Sequence, residues 1–229
     1  MNSVFTEDTK TGDIIIQFPA ASKLFKEYKI DFCCGGNRPI GEVIKSQQLE
    51  DKDLIKVLNI MYEQMQTTEE IDWMTMPLTD LVNHIIHHYH AKTRDLLEEL
   101  SAFVSKVYRV HGERDSHLKE VYTQFFLLKD ELEQHLLGEE QRIFPKVMEY
   151  DLNNSLETLE EARAEINILE KEHEGAGDIL KKIRQATNDY ELPMDACNTY
   201  RLTYLKLEEL ESLTFDHIHL ENNVLFRRL

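Results

Sequence analysis

The sequence predicts an all-α protein in which a small helical N-terminal domain precedes an up-down-up-down four-helix bundle. Two observations support this fold class. From about residue 77 onward, apolar residues recur at three- and four-residue steps along four long segments with short breaks between them. The composition, with 41% hydrophobic and 30% charged residues, is ordinary for a soluble, helix-rich protein, and no segment requires a strand.

The N-terminal domain is predicted over residues 1–66, and a polar linker over residues 67–77 leads to the bundle at residues 78–229. Apolar runs in the first part are short and are interrupted by prolines and by the pair Gly35-Gly36. The run DKDLIKVLNIMYEQM begins with an aspartate that can cap a helix, and it is predicted to be helical.

The four bundle helices are predicted to span residues 79–110, 115–150, 155–187 and 193–229. The pairs His111-Gly112 and Asn153-Asn154 and the segment NDYELP separate them. Pro145 lies inside the second helix, where its ring should disturb the preceding turn and bend the helix.

Charge and cysteine content restrict the partners and the compartment. The formal charge is −17, from 26 basic and 43 acidic residues, which opposes binding to nucleic acid or to anionic membranes. No run of about 18 apolar residues and no signal-peptide core is present. Three cysteines, two of them adjacent, do not form a disulfide framework, so a cytoplasmic location is expected.

Polar residues interrupt the apolar stripes of three bundle helices. His135 and Glu139 lie four residues apart on the second stripe, His217 and Glu221 do so on the fourth, and His173 interrupts the third. A single buried histidine or a single His-x-x-x-Glu pair would be weak evidence. Two buried carboxylates beside buried imidazoles are costly to accommodate as packing alone, whereas a dinuclear cation site compensates both charges.

The sequence does not decide which histidine of the first bundle helix is the candidate ligand. Its segment LVNHIIHHYH offers four histidines, namely His84, His87, His88 and His90. The apolar positions of this helix bracket both His84 and His88, so periodicity alone does not choose between those two.

Imidazole and carboxylate ligands suit zinc, iron or manganese, and no inward-facing cysteine is predicted that could hold an iron–sulfur cluster. A ferritin-like site would require Glu-x-x-His on two helices, and only Glu170 and His173 have that spacing. Four histidines and two bridging glutamates, with a bridging oxo or hydroxo group, leave an octahedral metal one ligand short. O2 or NO could bind at that position, unlike in a closed tetrahedral zinc site.

Two parts of the chain carry a family resemblance. One is the segment DFCCGG (Asp31 to Gly36), and the other is the set LVNHII, HLLGEEQRIFP, EKEHEGAG and DHIHLENNVLFRRL in the bundle. Together they resemble the bacterial iron–sulfur cluster repair di-iron proteins, the repair of iron centres family with a hemerythrin-like domain. The resemblance covers nearly all of the chain. It implies two non-haem iron ions with an oxo or hydroxo bridge. The ligands that it implies are His84, His135, Glu139, His173, His217 and Glu221.

Two departures separate this chain from the oxygen-carrying hemerythrins. Those proteins have a second histidine one turn after the third-helix ligand, where this chain has Gly177. The final carboxylate here is Glu221 and not a later aspartate. Both departures argue against a dedicated oxygen carrier.

The resemblance implies a function in repairing iron–sulfur clusters damaged by oxidative or nitrosative stress, with iron donation as one route and damaged iron–sulfur proteins as clients. One alternative is a nitric oxide reductase that forms nitrous oxide at the di-iron centre. Another is a non-enzymatic sensor of O2, NO or redox state, for which no output surface is recognisable. The sequence leaves both a monomer and a homodimer open.

Cys33 and Cys34 are adjacent, and a disulfide between neighbours would be strained and easily reduced. One hypothesis is a thiol pair that relays electrons, receives NO or iron, or docks a client. The alternative is two small, partly buried thiols at a turn. A nearby helix start or Arg38 could lower a thiol pKa. Cys197 is predicted to be a structural residue inside a helix.

Overall fold

The computed structural model describes residues 4–49, 52–64 and 72–229. Over these ranges every regular element is helical, and the one extended contact is an isolated antiparallel bridge between Lys10 and Pro39. The all-α prediction is therefore confirmed. Among the described helices, none combines the length and the apolar character that crossing a membrane requires.

The chain forms two compact units. The first comprises Met1–Met76 together with Ile218–Arg228, and the second comprises Pro77–His217 together with Leu229. The predicted N-terminal domain thus gains a C-terminal segment that is distant in sequence. Residues 67–71 of the predicted linker and the expected boundary at residue 66 lie outside the described residues.

The first unit contains four short helices: α1 (Thr11–Gln17), α2 (Ala21–Glu27), α3 (Ile40–Ser46) and α4 (Leu54–Gln64). Pro39 directly precedes α3, where its fixed φ suits a helix start. Burial of large apolar side chains stabilises the unit, each contributing about 1.5–3 kcal/mol. The largest of these side chains belong to Phe5, Phe18, Phe25, Phe32, Ile14, Ile40, Leu54 and Leu58.

The first long helix of the second unit consists of α5 (Leu78–His84), a π-helical turn (π1, Ile85–His90) and α6 (Ala91–His111). The backbone N–H groups of Leu78 and Thr79 donate to the Asp151 carboxylate, at 3.3 and 2.9 Å. These two groups have no partner within the helix, so Asp151 caps its N-terminus.

The second long helix consists of α7 (Leu118–Gly138), a π-helical turn (π2, Glu139–Ile143) and α8 (Phe144–Asn153). Pro145 lies in the first turn of α8. Because proline has no N–H, a carbonyl one turn earlier loses its partner, and the expected disturbance is present as π2. Asn154, in the left-handed conformation with φ of 53°, ends the helix.

The third helix, α9 (Leu156–Ala186), begins at Ser155, whose hydroxyl accepts from the Thr158 N–H at 3.3 Å. The fourth consists of α10 (Asn198–Leu220), a π-helical turn (π3, Glu221–Leu225) and a 3₁₀ turn (Phe226–Arg228). It starts later than predicted because the chain from Pro193 turns first, with the Ala196 N–H donating to the Pro193 carbonyl. Cys197 therefore precedes the helix and is exposed.

These helices share one apolar core. Helix α7 packs against α6 and α9, and α8 packs against α5 and α9. Helix α10 adds buried aromatic and aliphatic side chains to the same cluster. Core members from the four helices include Leu97, Leu100, Val104, Phe125, Leu128, Leu180, Ile183, Tyr200, Tyr204 and Leu210. The predicted four-helix bundle is confirmed.

Candidate metal centre

Six buried histidine and glutamate side chains form two overlapping groups that could each hold a metal ion. His90, Glu139, His217 and Glu221 form one group, and His135, Glu139, His173 and Glu221 form the other. Within each group the candidate ligand atoms lie within 4.8 Å of one another. Both glutamates belong to both groups, and both are completely buried.

The Glu139 carboxylate lies between two of the histidines. Its Oε2 atom is 3.3 Å from Nε2 of His90, and its Oε1 atom is 3.3 Å from Nε2 of His135. One carboxylate oxygen thus belongs to each group, which is the arrangement expected of a bridging ligand between two cations.

The histidines form two close pairs. Nε2 of His90 is 3.2 Å from Nε2 of His217, and Nε2 of His135 is 3.1 Å from Nε2 of His173. Two imidazole nitrogens that bind one metal at about 2.1 Å and at a right angle lie about 3 Å apart. The pair distances therefore fit two imidazoles that share one ion.

The outer nitrogens of two imidazoles are held by carboxylates. Nδ1 of His90 is 2.8 Å from Oε1 of Glu140, and Nδ1 of His135 is 2.7 Å from Oε2 of Glu172. An ionised carboxylate only accepts hydrogen bonds, so each Nδ1 carries the proton and each Nε2 presents its lone pair to the centre.

These contacts also change the acidity of the two outer carboxyls. The hydrogen bond from His135 lowers the pKa of Glu172. Burial by itself would raise the pKa of Glu140, but hydrogen bonds from His90 and Arg94 outweigh it and lower that pKa. Both carboxyls are thereby kept in the form that accepts the imidazole proton.

The donor set fits the cations that the sequence predicts. An imidazole that binds a metal does so as the neutral ring, and the two buried glutamates are negative when ionised. Buried carboxylates without compensation are costly, and two divalent cations would supply the missing positive charge. Imidazole and carboxylate together suit iron, manganese or zinc.

Each of the three described π-helical turns contains one member of the cluster. His90 is the last residue of π1, and Glu139 and Glu221 are the first residues of π2 and π3. A π turn places residues five apart on one face, and single π turns within α-helices often lie at functional sites.

Five of the six predicted ligands lie in the two groups, namely His135, Glu139, His173, His217 and Glu221. His84 belongs to neither group. It is half-buried and its ring stacks on that of His88, with 5.2 Å between the centroids. Burial and His88 both lower the pKa of His84. The first helix contributes His90 in its place.

The π1 turn explains why the sequence pattern pointed away from His90. Ile85 and His90 are five residues apart and both buried, whereas α-helical counting from Ile85 leads to residues 88 and 89. Counting backward from the buried Leu100, Leu97 and Thr93 in α6 leads to His90 at the next three-residue step. The apolar pattern of α6, on the C-terminal side of the π turn, therefore indicates His90.

Residues of the C-terminal segment hold the cysteine segment within the first unit. Nδ1 of His219 donates to the Phe32 carbonyl at 3.1 Å, and Nδ2 of Asn223 donates to the carbonyls of Phe32 and Cys33 at 3.2 and 3.0 Å. His219 lies off the apolar stripe of its helix, which predicts a surface position, but it is buried, and burial lowers its pKa to about 4. A Cβ at Gly36 would come within 2.5 Å of the Asn223 amide oxygen.

Cys33 and Cys34 belong to neither metal group. Cys33 is buried and Cys34 is partly exposed. The Arg38 guanidinium donates to the Ser46 hydroxyl at 3.2 Å. The pKa of Cys33 is raised, contrary to the expected lowering, by its hydrogen bond with Cys34, by burial and by the charges of Cys34 and Asp31.

Comparison with known proteins gives two family matches that cover most of the chain. Residues 81–229 match the hemerythrin HHE cation binding domain, and residues 7–62 match a domain of unknown function, DUF542 or ScdA_N. The iron-sulfur cluster repair protein YtfE of Escherichia coli O157:H7 is 35% identical over 221 residues, 96% of each chain. The proteins of the same name from Shigella boydii serotype 4 (strain Sb227) and Escherichia coli (strain K12 / DH10B) are 34% identical over the same shares.

Proposed function

The chain belongs to the hemerythrin HHE cation-binding family, and from this premise we propose that it is a di-iron protein that repairs iron–sulfur clusters damaged by oxidative or nitrosative stress. The relatives that carry the repair name align with it over 96% of its length, so the proposal covers both units. Damaged iron–sulfur proteins are the proposed clients, and donation of iron to them is the proposed route.

The buried cluster in which two histidine pairs share two glutamates is the observation that carries the proposal. The residues proposed to hold the two ions are His90, His135, Glu139, His173, His217 and Glu221. This set differs from the one implied by resemblance only at the first helix, where His90 takes the place of His84.

The protein residues contribute orientation, charge and exclusion of water. Glu140 and Glu172 fix the tautomers of His90 and His135 through Nδ1, so that Nε2 faces the centre. Glu139 supplies one oxygen to each histidine pair, and its burial strengthens its interaction with a cation. When bound, iron supplies redox activity and coordination positions for a small ligand such as NO or O2, because six protein ligands shared between two ions do not fill two octahedra.

The test is a repair assay with matched variants. The iron-loaded protein should carry two irons per chain and restore activity to an aconitase-type enzyme whose cluster has been damaged by NO. Glu139→Gln should lose iron and repair together, because the neutral amide supplies less negative charge to the cations. Glu174→Gln, an exposed neighbour of His173, should retain both. A folded wild-type protein that binds iron but does not restore the client would overturn the repair function.

The shared carboxylates also favour a second candidate, reduction of NO to nitrous oxide. Two ligand groups that share Glu139 and Glu221 would give two neighbouring binding positions, which the joining of two NO molecules requires. Anaerobic mixing of NO with the reduced, iron-loaded protein should then release nitrous oxide. A stable nitrosyl adduct without nitrous oxide would exclude this activity and leave the repair proposal untouched.

A further inference from the structure

The two adjacent thiols of the first unit differ in their surroundings. Cys33 is 6% exposed, whereas Cys34 is accessible in part. Their sulfur atoms lie 3.9 Å apart, within reach of a weak hydrogen bond from the Cys33 S–H to the Cys34 sulfur. Cys34 is therefore the cysteine that a molecule in solution can reach, and Cys33 contacts Cys34.

The Asp31 carboxylate accepts hydrogen bonds from the backbone of the cysteine segment. Its Oδ1 atom accepts from the backbone N–H groups of Cys33 and Gly35, at 3.1 and 2.9 Å. The same oxygen lies 3.4 Å from the Cys33 sulfur, so it can also accept the thiol proton. A negative charge beside Cys33 opposes formation of a second negative charge on that sulfur.

Hydrogen bonds from outside the loop fix its backbone. The Thr11 hydroxyl donates toward the carbonyls of Asp31 and Gly35, at 3.1 and 3.3 Å. Asn223 holds the carbonyls of Phe32 and Cys33 from another direction, and the Gly12 N–H donates to Gly36 at 2.9 Å. The loop is therefore restrained on both sides of the cysteine pair.

This restraint limits which disulfide the pair can form. A disulfide requires about 2.05 Å between the sulfurs, and the bond between adjacent cysteines needs a distorted backbone. The sulfurs are 3.9 Å apart, and the hydrogen bonds that hold the loop oppose the backbone movement that would close this gap. Bonding of Cys34 to an external sulfur requires no such movement.

We propose that Cys33 and Cys34 form a thiol–disulfide exchange site with one attacking thiol, in which Cys34 reacts with a low-molecular-weight disulfide and Cys33 stays reduced. Partial exposure of Cys34 on a restrained loop suits a small reagent. The Cys34 thiolate attacks one sulfur of the disulfide, a new S–S bond forms at Cys34, and the original S–S bond breaks. The released thiolate takes up the proton that Cys34 lost, so Cys34 is oxidised and one external thiol is produced.

Cys33 acts as a positioning residue in this proposal. Its S–H lies within reach of the Cys34 sulfur as well as of the Asp31 carboxylate, and it can donate a weak hydrogen bond to the attacking sulfur. The pKa of Cys33 is raised by this hydrogen bond, by burial and by the charges of Cys34 and Asp31. Its own proton is therefore retained in the pH range where exchange takes place. The site uses no metal, so it can fail or succeed independently of the proposed repair function.

The test uses the full-length, iron-loaded protein in a Cys197→Ser background, since Cys197 is the exposed third cysteine. Glutathione disulfide should add one glutathione per chain, and peptide mass spectrometry should locate it on Cys34. Cys34→Ser should remove the adduct. Cys33→Ser should keep it, because the serine hydroxyl still donates to Cys34, whereas Cys33→Ala should slow it about tenfold through loss of the donor.

Asp31→Asn tests whether Asp31 acts on Cys33 through its negative charge or only by holding the backbone of the segment. The amide oxygen can still accept from the two backbone N–H groups, but the charge beside Cys33 is gone. Labelling of Cys33 by N-ethylmaleimide should then accelerate about tenfold, because its thiolate fraction rises. Equal adducts on both cysteines of the unsubstituted pair, a disulfide between them as the main product, or no adduct on Cys34 would each overturn the proposal.

Discussion

Individual residues of the metal centre carry two separable tasks. His90 and His135 each use one ring nitrogen toward the centre and the other toward an outer carboxylate. The inner nitrogen is the proposed ligand, and the outer one sets the tautomer and the ring orientation. Substitution at the inner and outer positions should therefore have different consequences.

Replacing the inner histidine of the first helix should remove iron, and replacing the alternative histidine should not. His90→Ala eliminates one of the two nitrogens, 3.2 Å apart, that are proposed to share an ion with Glu139 and Glu221. His84→Ala removes a half-buried ring outside both groups. We expect about one iron per chain or less in the first variant and two in the second, measured by elemental analysis. The opposite pattern would restore His84 as the ligand.

Weakening an outer carboxylate should lower iron affinity without abolishing binding. Glu172→Gln keeps an oxygen that can accept the His135 Nδ1 proton but removes the charge that strengthens this bond. Changes in such partners typically cost between 10- and 100-fold in metal affinity, and we expect about tenfold here. Competition with a chromogenic iron chelator measures the change. An affinity equal to that of Glu174→Gln would show that the outer hydrogen bond has no such effect.

At the scale of helices, the π turns decide which ligands the sequence could reveal. Glu139 and Glu221 begin their π turns, so the four-residue steps from His135 and His217 are still α-helical and visible in the pattern. His90 ends its π turn, so counting from the N-terminal side is already one residue out of step. In the first bundle helix, α-helical counting across the π turn therefore misses the ligand.

Features that depend on local contacts could be predicted from the sequence, and features that depend on distant contacts could not. Ser155 and the Asn153-Asn154 break gave the limits of α8 and α9 because capping is local. The burial of His219 follows from its bond to a carbonyl 187 residues earlier in the chain. No periodicity within α10 indicates that contact, so His219 looked like a surface residue.

The start of the first bundle helix depends on a side chain from the second. Asp151 satisfies two N–H groups of α5, so Asp151→Ala should destabilise the second unit by about 1 kcal/mol. The melting temperature should fall by about 2–4 °C, measured by circular dichroism, with iron content unchanged. Asp151→Asn retains an acceptor oxygen and should lose less than half as much. Equal losses in both variants would mean that another contact of Asp151 is responsible.

At the scale of the whole molecule, the first unit is assembled from both ends of the chain. Asn223 binds backbone carbonyls of the cysteine segment, and the Arg228 guanidinium donates to the Trp73 carbonyl at 2.9 Å. The sequence pattern alone predicts two consecutive domains. The C-terminal segment nevertheless joins the N-terminal residues in one compact unit, because its polar side chains supply hydrogen bonds to their loops.

The stability of the protein should depend on iron. Replacing a buried carboxylate of the cluster should therefore lower the melting temperature only when iron is present. The carboxyl groups of Glu139 and Glu221 are completely buried, and a buried carboxylate that no cation compensates opposes folding. Iron binds only the folded state and should stabilise it by about 2.7 kcal/mol when free iron is 100 times its dissociation constant. Scanning calorimetry should therefore show a higher melting temperature for the iron-loaded protein than for the chelator-treated protein.

Glu139→Gln provides the matched comparison, since it removes one buried negative charge at nearly constant volume. Its metal-free form should melt at or above the temperature of the metal-free wild-type protein, and added iron should shift it little. The wild-type protein should overtake it only when iron is present. If metal-free Glu139→Gln melts well below metal-free wild type, then Glu139 stabilises the fold by its own hydrogen bonds, and its burial does not indicate a cation site.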